Sequence, residues 1–163
     1  MYQVFLSLGS NLGDRLFNLK RGIGLMAQMA GTVRITSGVY ETEPWGCSLE
    51  NNFYNMAVVL ETPLKPEDLL AQLKKIEVLC GRKPEKVRYA DRTLDIDILI
   101  YGSEIVSSGN LKIPHPLLHE RRFVLLPLAE IAPDVVHPVF HKTISQLLAD
   151  CQDEGRVVRI IPQ

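Results

Sequence analysis

Cysteine is scarce: Cys47, Cys80 and Cys151 are the three in 163 residues, widely spaced and in no C-x-x-C pattern. That excludes a disulfide framework and a cysteine-ligated zinc site, and it predicts reduced thiols in a cytoplasmic protein. Long hydrophobic runs are missing too. The longest, Met56–Leu60, is far short of the ~18 apolar residues of a membrane helix. Met1–Tyr2–Gln3 carries no basic side chain, and the apolar stretch behind it stops at Gly9–Ser10–Asn11, so no signal peptide is expected. Neither sign of charge dominates, with 18 Lys and Arg against 19 Asp and Glu. A generally basic nucleic-acid coat and a polybasic membrane binder are thereby excluded. No repeat, low-complexity tract or Ser/Gly linker divides the chain. What is present is apolar material, 46% of the residues, in a length typical of one domain. Such a chain buries roughly 70% of its unfolded surface without a staple. A single domain over residues 1–163 is expected.

Hydrophobic periodicity orders the elements. Gln3–Leu8 predicts a strand, and Leu16, Leu19, Ile23, Met26 and Ala30 recur at helical spacing. Val33, Ile35 and Val39 alternate with polar residues across Thr32–Tyr40, which predicts a half-buried strand. Phe53–Leu60 is the next strand. Pro66, Glu67 and Asp68 then open a helix with the stripe Leu69, Leu73, Ile76 and Cys80, closed by Gly81. Asp95–Tyr101 predicts a strand, with a short partner around Glu104–Val106. Phe123–Ala132, which contains Pro127, and Thr143–Asp150 are further helical segments. The order β-α-β-β-α-β is that of an α+β, ferredoxin-like sandwich, mainly antiparallel, with helices on one face and C-terminal additions. That fold hosts many functions.

Chemistry concentrates in Leu94–Ile100, where Asp95 and Asp97 share one face of a strand while Ile96, Ile98 and Ile100 fill the other. Adjacent carboxylates repel, and a divalent cation such as Mg²⁺ relieves them. A strand with one solvated face is the plain alternative. Beside it, Arg82, Lys83, Glu85, Lys86, Arg88, Asp91 and Arg92 set five cations against two anions. Alone this is a solvated loop; leading into paired carboxylates, it matches what a polyphosphate needs. The Gly9–Asp14 loop lacks a G-K-[ST] ending and the G-x-G-x-x-G pattern, and it reads as a turn with Asp14 as helix N-cap. Thr42, Glu43, Pro44 and Trp45 form a loop. Phe53 and Asn55 share a strand face, so a flat heterocycle could stack there while an amide reads its edge. A hydrophobic plug is the other use of such a loop Trp. His115, between Pro114 and Pro116, and His119 do not form a helical zinc pair. No Ser/His/Asp nucleophile stands out.

Taken in order, Ser7–Asp14, Tyr40–Gly46, Phe53–Asn55, Glu77, Gly81–Arg82, Arg88–Asp97, Ile113–Pro116 and Arg121–Leu125 cover essentially the whole chain. The sequence closely resembles the 6-hydroxymethyl-7,8-dihydropterin pyrophosphokinase family of folate biosynthesis. The resemblance implies a ferredoxin-like enzyme moving a diphosphate from ATP to the pterin hydroxymethyl group, with release of AMP. By similarity Asp95 and Asp97 hold two Mg²⁺ ions, and Arg82 and Arg92 stabilise the reacting phosphates. Arg88 and His115 assist ATP binding, and Glu77 and Ile98 lie near the adenosine. The pterin stacks between Phe53 and Phe123, and Asn55 with the Thr42–Pro44–Trp45 loop reads its edge. Arg121 and Tyr89 close over it. Pro84, Tyr89, Asp91 and Pro116 depart from what the family often carries. The expected partners are these small molecules alone, with no nucleic acid and no membrane, on a monomer. A ferredoxin-like nucleic-acid-binding module and a Mg²⁺-dependent phosphohydrolase are the rivals.

Overall fold

The computed structural model describes residues 1–45, 51–83 and 91–160. Strand β1 (Tyr2–Ser10) is central, antiparallel to β4 (Phe53–Thr62) on one side and to β5 (Asp95–Tyr101) on the other. Helix α1 (Arg15–Met29) follows β1, and α2 (Pro66–Leu79) joins β4 to β5. Asp14 caps α1 by accepting from the Phe17 N–H at 3.1 Å. Pro66 opens α2, and Gly81, at φ +97°, takes a conformation that disfavours any side chain beyond its end.

The second strand expected at Thr32–Tyr40 is two strands, β2 (Thr32–Thr36) and β3 (Val39–Thr42). Thr36 pairs Val58 whereas Tyr40 pairs Asn55, so Ser37–Gly38 contains one residue too many for a continuous ladder. The Ser37 hydroxyl accepts from the Ala57 N–H and repairs the gap. Alternation of side chains cannot reveal such a bulge, because the register is a property of the partner strand. The sheet order is β5-β1-β4-β3-β8, with β2 also on β4 and every pairing antiparallel. The ferredoxin-like order is thus present. To it the chain adds β8 (Val157–Ile160), an edge strand not anticipated. Nor does the segment after Gly102 pair with β5. It forms β6 (Val106–Ser108), which among the described residues pairs with β7 (Leu111–Ile113) alone, as a separate hairpin.

Helices cover both faces, not one. Between the sheet and α1/α2 lie Val4, Leu6, Leu8, Leu19, Met26, Val58, Leu60, Leu69, Leu73 and Ile76. Helix α3 (Arg122–Ile131), continuous through Pro127, and α4 (Ile144–Asp150) pack on the opposite side over Phe5, Ala57, Val59 and Leu99. Pro127 is the sixth residue of α3, past the first turn, so its missing N–H removes one intrahelical hydrogen bond, and burial of the ring against the sheet offsets that loss. Ile100 corrects the expected strand pattern. The ladder slips between Phe5 and Leu6, whose partners are Ile100 and Ile98, so Leu99 is an extra residue. Ile96 and Ile98 therefore face α1/α2, while Ile100 packs with the α3/α4 cluster. No helix among the described residues is long and apolar enough to cross a membrane.

Candidate active site

The α3/α4 helices cover only part of their face of the sheet. Toward the first residues of β5 it is left open, and there the polar side chains collect. Asp95 and Asp97 project from β5, opposite Gly9 and Ser7 of β1. Both are half-buried. Burial above all, and then the neighbouring Asp95 carboxylate, pushes Asp97 up to about 7, against the opposing pull of Arg121. Arg82 lies just past the end of α2. Its Nη1 donates to Glu77 Oε2 at 2.8 Å and to Asp95 Oδ1 at 3.0 Å. Glu77 is itself buried and accepts from the Ile96 N–H at 2.8 Å. Burial raises its carboxyl to about 7, although the Ile96 hydrogen bond and the Arg82 charge oppose this. A helix-to-strand tether thus holds the arginine against the aspartates.

His115 closes the far wall. Its backbone N–H donates to the Leu99 carbonyl at 2.9 Å, and its Nδ1 accepts from the Leu117 N–H at 3.1 Å. The ring is therefore the Nε2–H tautomer. Burial and the Arg121 charge lower its pKa to about 4, with Asp95 pulling the other way. A neutral imidazole donor results. Lys74, Glu77, Arg82, Asp95, Asp97, Ile98 and His115 line one cavity of about 290 Å³.

A second pocket, whose floor is uncharged, lies on the same sheet face. Buried Asn55 donates to Thr42 Oγ1 at 2.6 Å. Opposite Asn55 is Gly9, where a Cβ would meet Asn55 Oδ1 at 2.7 Å and Phe53 Cδ1 at 3.4 Å. A side chain at residue 9 would displace the Asn55 amide and touch the Phe53 ring, and glycine leaves the amide its place. Thr42, Pro44, Trp45 and Phe123 line a second cavity of about 270 Å³, together with Asp153 and Arg156. Arg121 lies between the two regions. Its guanidinium is 4.8 Å from the Trp45 ring centroid and 5.6 Å from that of Phe123, while its charge acts on Asp97 and His115. Buried Arg121 Nε has no partner among the described residues.

Arg92 sits before β5. Its backbone N–H donates to Asn11 Oδ1 at 2.6 Å, and its carbonyl accepts from the Asn11 N–H at 3.0 Å. Arg88 and Tyr89 lie outside the described residues. Asn11 and Asp153 escaped sequence reading. Asp153 Oδ2 accepts from the Arg122 N–H at 3.0 Å and so caps α3 from a distant segment. The only local signal was Asn11 in a turn-rich loop.

Residues 5–133 match the family described as 7,8-dihydro-6-hydroxymethylpterin-pyrophosphokinase (HPPK). The chain belongs to this family. It is 39% identical over 146 residues to the 2-amino-4-hydroxy-6-hydroxymethyldihydropteridine pyrophosphokinase of Aquifex aeolicus, covering 90% of each chain. It is 44% identical over 133 residues to the Bacillus subtilis protein of that name, covering 81% of this chain and 79% of that one. Among solved structures, Plasmodium falciparum HPPK-DHPS with pteroate superposes with a TM-score of 0.78 at 18% identity. The match takes in 91% of this chain and 44% of that one, and it speaks to the HPPK fold alone.

Among the described residues no group of three or more His, Cys, Asp or Glu side chains is placed to hold a metal ion. Two carboxylates are nonetheless a suitable donor set for Mg²⁺. It takes one or two protein carboxylates and completes its shell with phosphate oxygens and water. Asp97 also stands beside Asp95, which adds to the burial that raises the Asp97 pKa, and a cation relieves that like-charge repulsion.

Proposed function

We propose that the two adjoining cavities bind ATP and 6-hydroxymethyl-7,8-dihydropterin side by side, and that this HPPK-family chain transfers a diphosphate between them. The overall reaction follows from family membership. The pterin hydroxyl oxygen loses its proton to solvent and bonds to the β-phosphorus of ATP, the bond from that phosphorus to the α–β bridging oxygen breaks, and AMP leaves with that oxygen. One observation carries the placement: Asp95, Asp97, Gly9, Asn55 and Thr42 share one sheet face, with Arg121 between the charged and neutral ends.

In this reading Asp95 and Asp97 hold two Mg²⁺ ions, which when bound neutralise and orient the triphosphate. Arg82 and Arg92 supply guanidinium donors to the phosphate oxygens as charge shifts among them. Glu77 fixes Arg82 and lies with Ile98 toward the adenosine. His115 offers Nε2–H to the nucleotide, and Arg88 assists. The pterin stacks between Phe53 and Phe123. Asn55, Thr42, Pro44 and Trp45 meet its edge, and Arg121 and Tyr89 cover it. In-line transfer needs positioning and charge stabilisation and no protein nucleophile. The reading extends to one domain acting as a cytoplasmic monomer on small molecules, with no nucleic acid. A sheet face bearing Asp95 and Asp97 repels a nucleic-acid backbone and does not favour that rival.

The test is nucleotide product analysis. ATP with the pterin should yield AMP, and ATP alone very little. ADP as product, or AMP release independent of pterin, overturns the assignment. A phosphorylated or pyrophosphorylated protein trapped during turnover overturns direct transfer.

A further inference from the structure

Asn11 is buried where β1 leaves the sheet, and its carboxamide is fully engaged. Oδ1 accepts from the Arg92 N–H at 2.6 Å. Nδ2 donates to Asp91 Oδ1 at 2.7 Å and to the Asn51 carbonyl at 3.2 Å. The second carboxylate oxygen of Asp91 accepts from Asn51 Nδ2 at 3.4 Å. Three segments far apart in sequence meet in this knot: the end of β1, the residues entering β4 and the residues leading to β5. None of Asn11, Asn51 and Asp91 has a task in the reaction proposed above.

A main-chain pair alone, Asn11 N–H to Arg92 carbonyl, acts as a hinge about which Arg92 can swing. The Asp91 attachment one residue earlier removes that freedom. The effect is amplified by the length of the arginine side chain, because a small rotation at its Cα sweeps the guanidinium through a large arc. Displacements near 1 Å at a reacting group cost about 10²-fold in rate. We propose that Asn11 and Asp91 are positioning residues for Arg92, clasping its main chain so that the guanidinium is delivered to the transferring phosphate. The inference rests on the role given to Arg92 above. Asn11 and Asp91 touch no substrate in it.

The experiment compares Asp91→Ala and Asp91→Asn in the wild-type chain and in Arg92→Ala, with thermal melts to confirm folding. Asp91→Ala should lower kcat about tenfold with pterin KM within about twofold, and it should cost less than about twofold once Arg92 is gone. Asp91→Asn keeps an acceptor for Asn11 Nδ2 and should stay within about threefold of wild type. Asn11→Asp places two carboxylates together and should lose more than Asp91→Ala. Adding Asp91→Asn exchanges donor and acceptor and should recover part of that loss. Equal losses from Asp91→Ala with and without Arg92, or an unaffected kcat, overturn the clasp and leave the role of Arg92 standing. If Arg92→Ala itself leaves kcat unchanged, the role of Arg92 falls first, and the clasp with it.

Discussion

The charged cleft and the Asn55–Thr42 pocket lie on one face of one sheet, yet they are held together by opposite means. In the pocket the polar groups satisfy each other: Asn55 donates to Thr42, and Gly9 leaves the space this requires. In the cleft, one Arg82 nitrogen serves both Glu77 and Asp95, and Asp97 has a pKa raised to about 7. The pocket groups pair with one another, whereas in the cleft Asp97 is a second carboxylate beside the Asp95 that Arg82 already holds. Changes in the cleft should therefore separate activity from stability, and changes in the pocket should not.

The largest effect is expected from Asp97→Asn, which removes a charge at constant size. Losing ~3–4 kcal/mol of charge stabilisation predicts roughly a 10²–10³-fold fall in kcat/KM. The metal-free protein should melt at the same temperature or higher, because like-charge repulsion is relieved. A variant within a few-fold of wild type at limiting Mg²⁺, or one that melts clearly lower, breaks the contrast. Next comes Arg92→Ala, expected to lower kcat about 10²-fold with little change in substrate binding. Arg92→Lys should restore only part, since an ammonium lacks the bidentate fork. Full activity in the lysine variant would reduce Arg92 to a counter-charge. In the pocket, Phe53→Ala should weaken pterin binding by about 1–3 kcal/mol through lost stacking and leave ATP affinity nearly unchanged. Calorimetric titration with each ligand checks this; equal loss for both would merge the two regions.

The smallest effect serves as a control outside both regions. Glu130 accepts from Tyr40 Oη at 2.6 Å, the Gly38 N–H at 2.8 Å and Arg159 Nε at 3.0 Å. Burial tends to raise its carboxyl, but these hydrogen bonds outweigh it and hold Glu130 below the ordinary range. A depressed carboxylate stabilises the fold above the unfolded pKa of about 4.3 and loses that contribution as pH falls. The melting advantage of wild type over Glu130→Gln should shrink in acid, without change in pterin affinity at neutral pH.

Most of the architecture was legible because burial patterns repeat along single elements. Leu69, Leu73, Ile76 and Cys80 named the buried side of α2, and Asp14 named its own cap on α1. The aspartate pair was equally visible, since alternation alone places Asp95 and Asp97 together. What escaped depends on partners. The extra residues at Ser37–Gly38 and Leu99 exist only relative to the strands beside them. Val157–Ile160 is short and carries Arg159, so nothing in it announces a strand until β3 is alongside. Asn11 looked like one more turn residue. Its work is done across |i − j| = 80 and 81, on Asp91 and Arg92, and no local pattern encodes that.

The position of β8 also bears on solubility. It pairs residue by residue with β3 from Val39 to Thr42, the strand that carries Thr42 into the Asn55–Thr42 pocket. Without β8, the row of backbone N–H and C=O groups along that edge would be open to any extended chain, including another copy. A version cut before Val157 would therefore become adhesive at the rim of its own binding pocket. The last strand moves the open edge away from the wall of the site, onto four residues that include the charged Arg159, the short charged kind of edge that resists self-association.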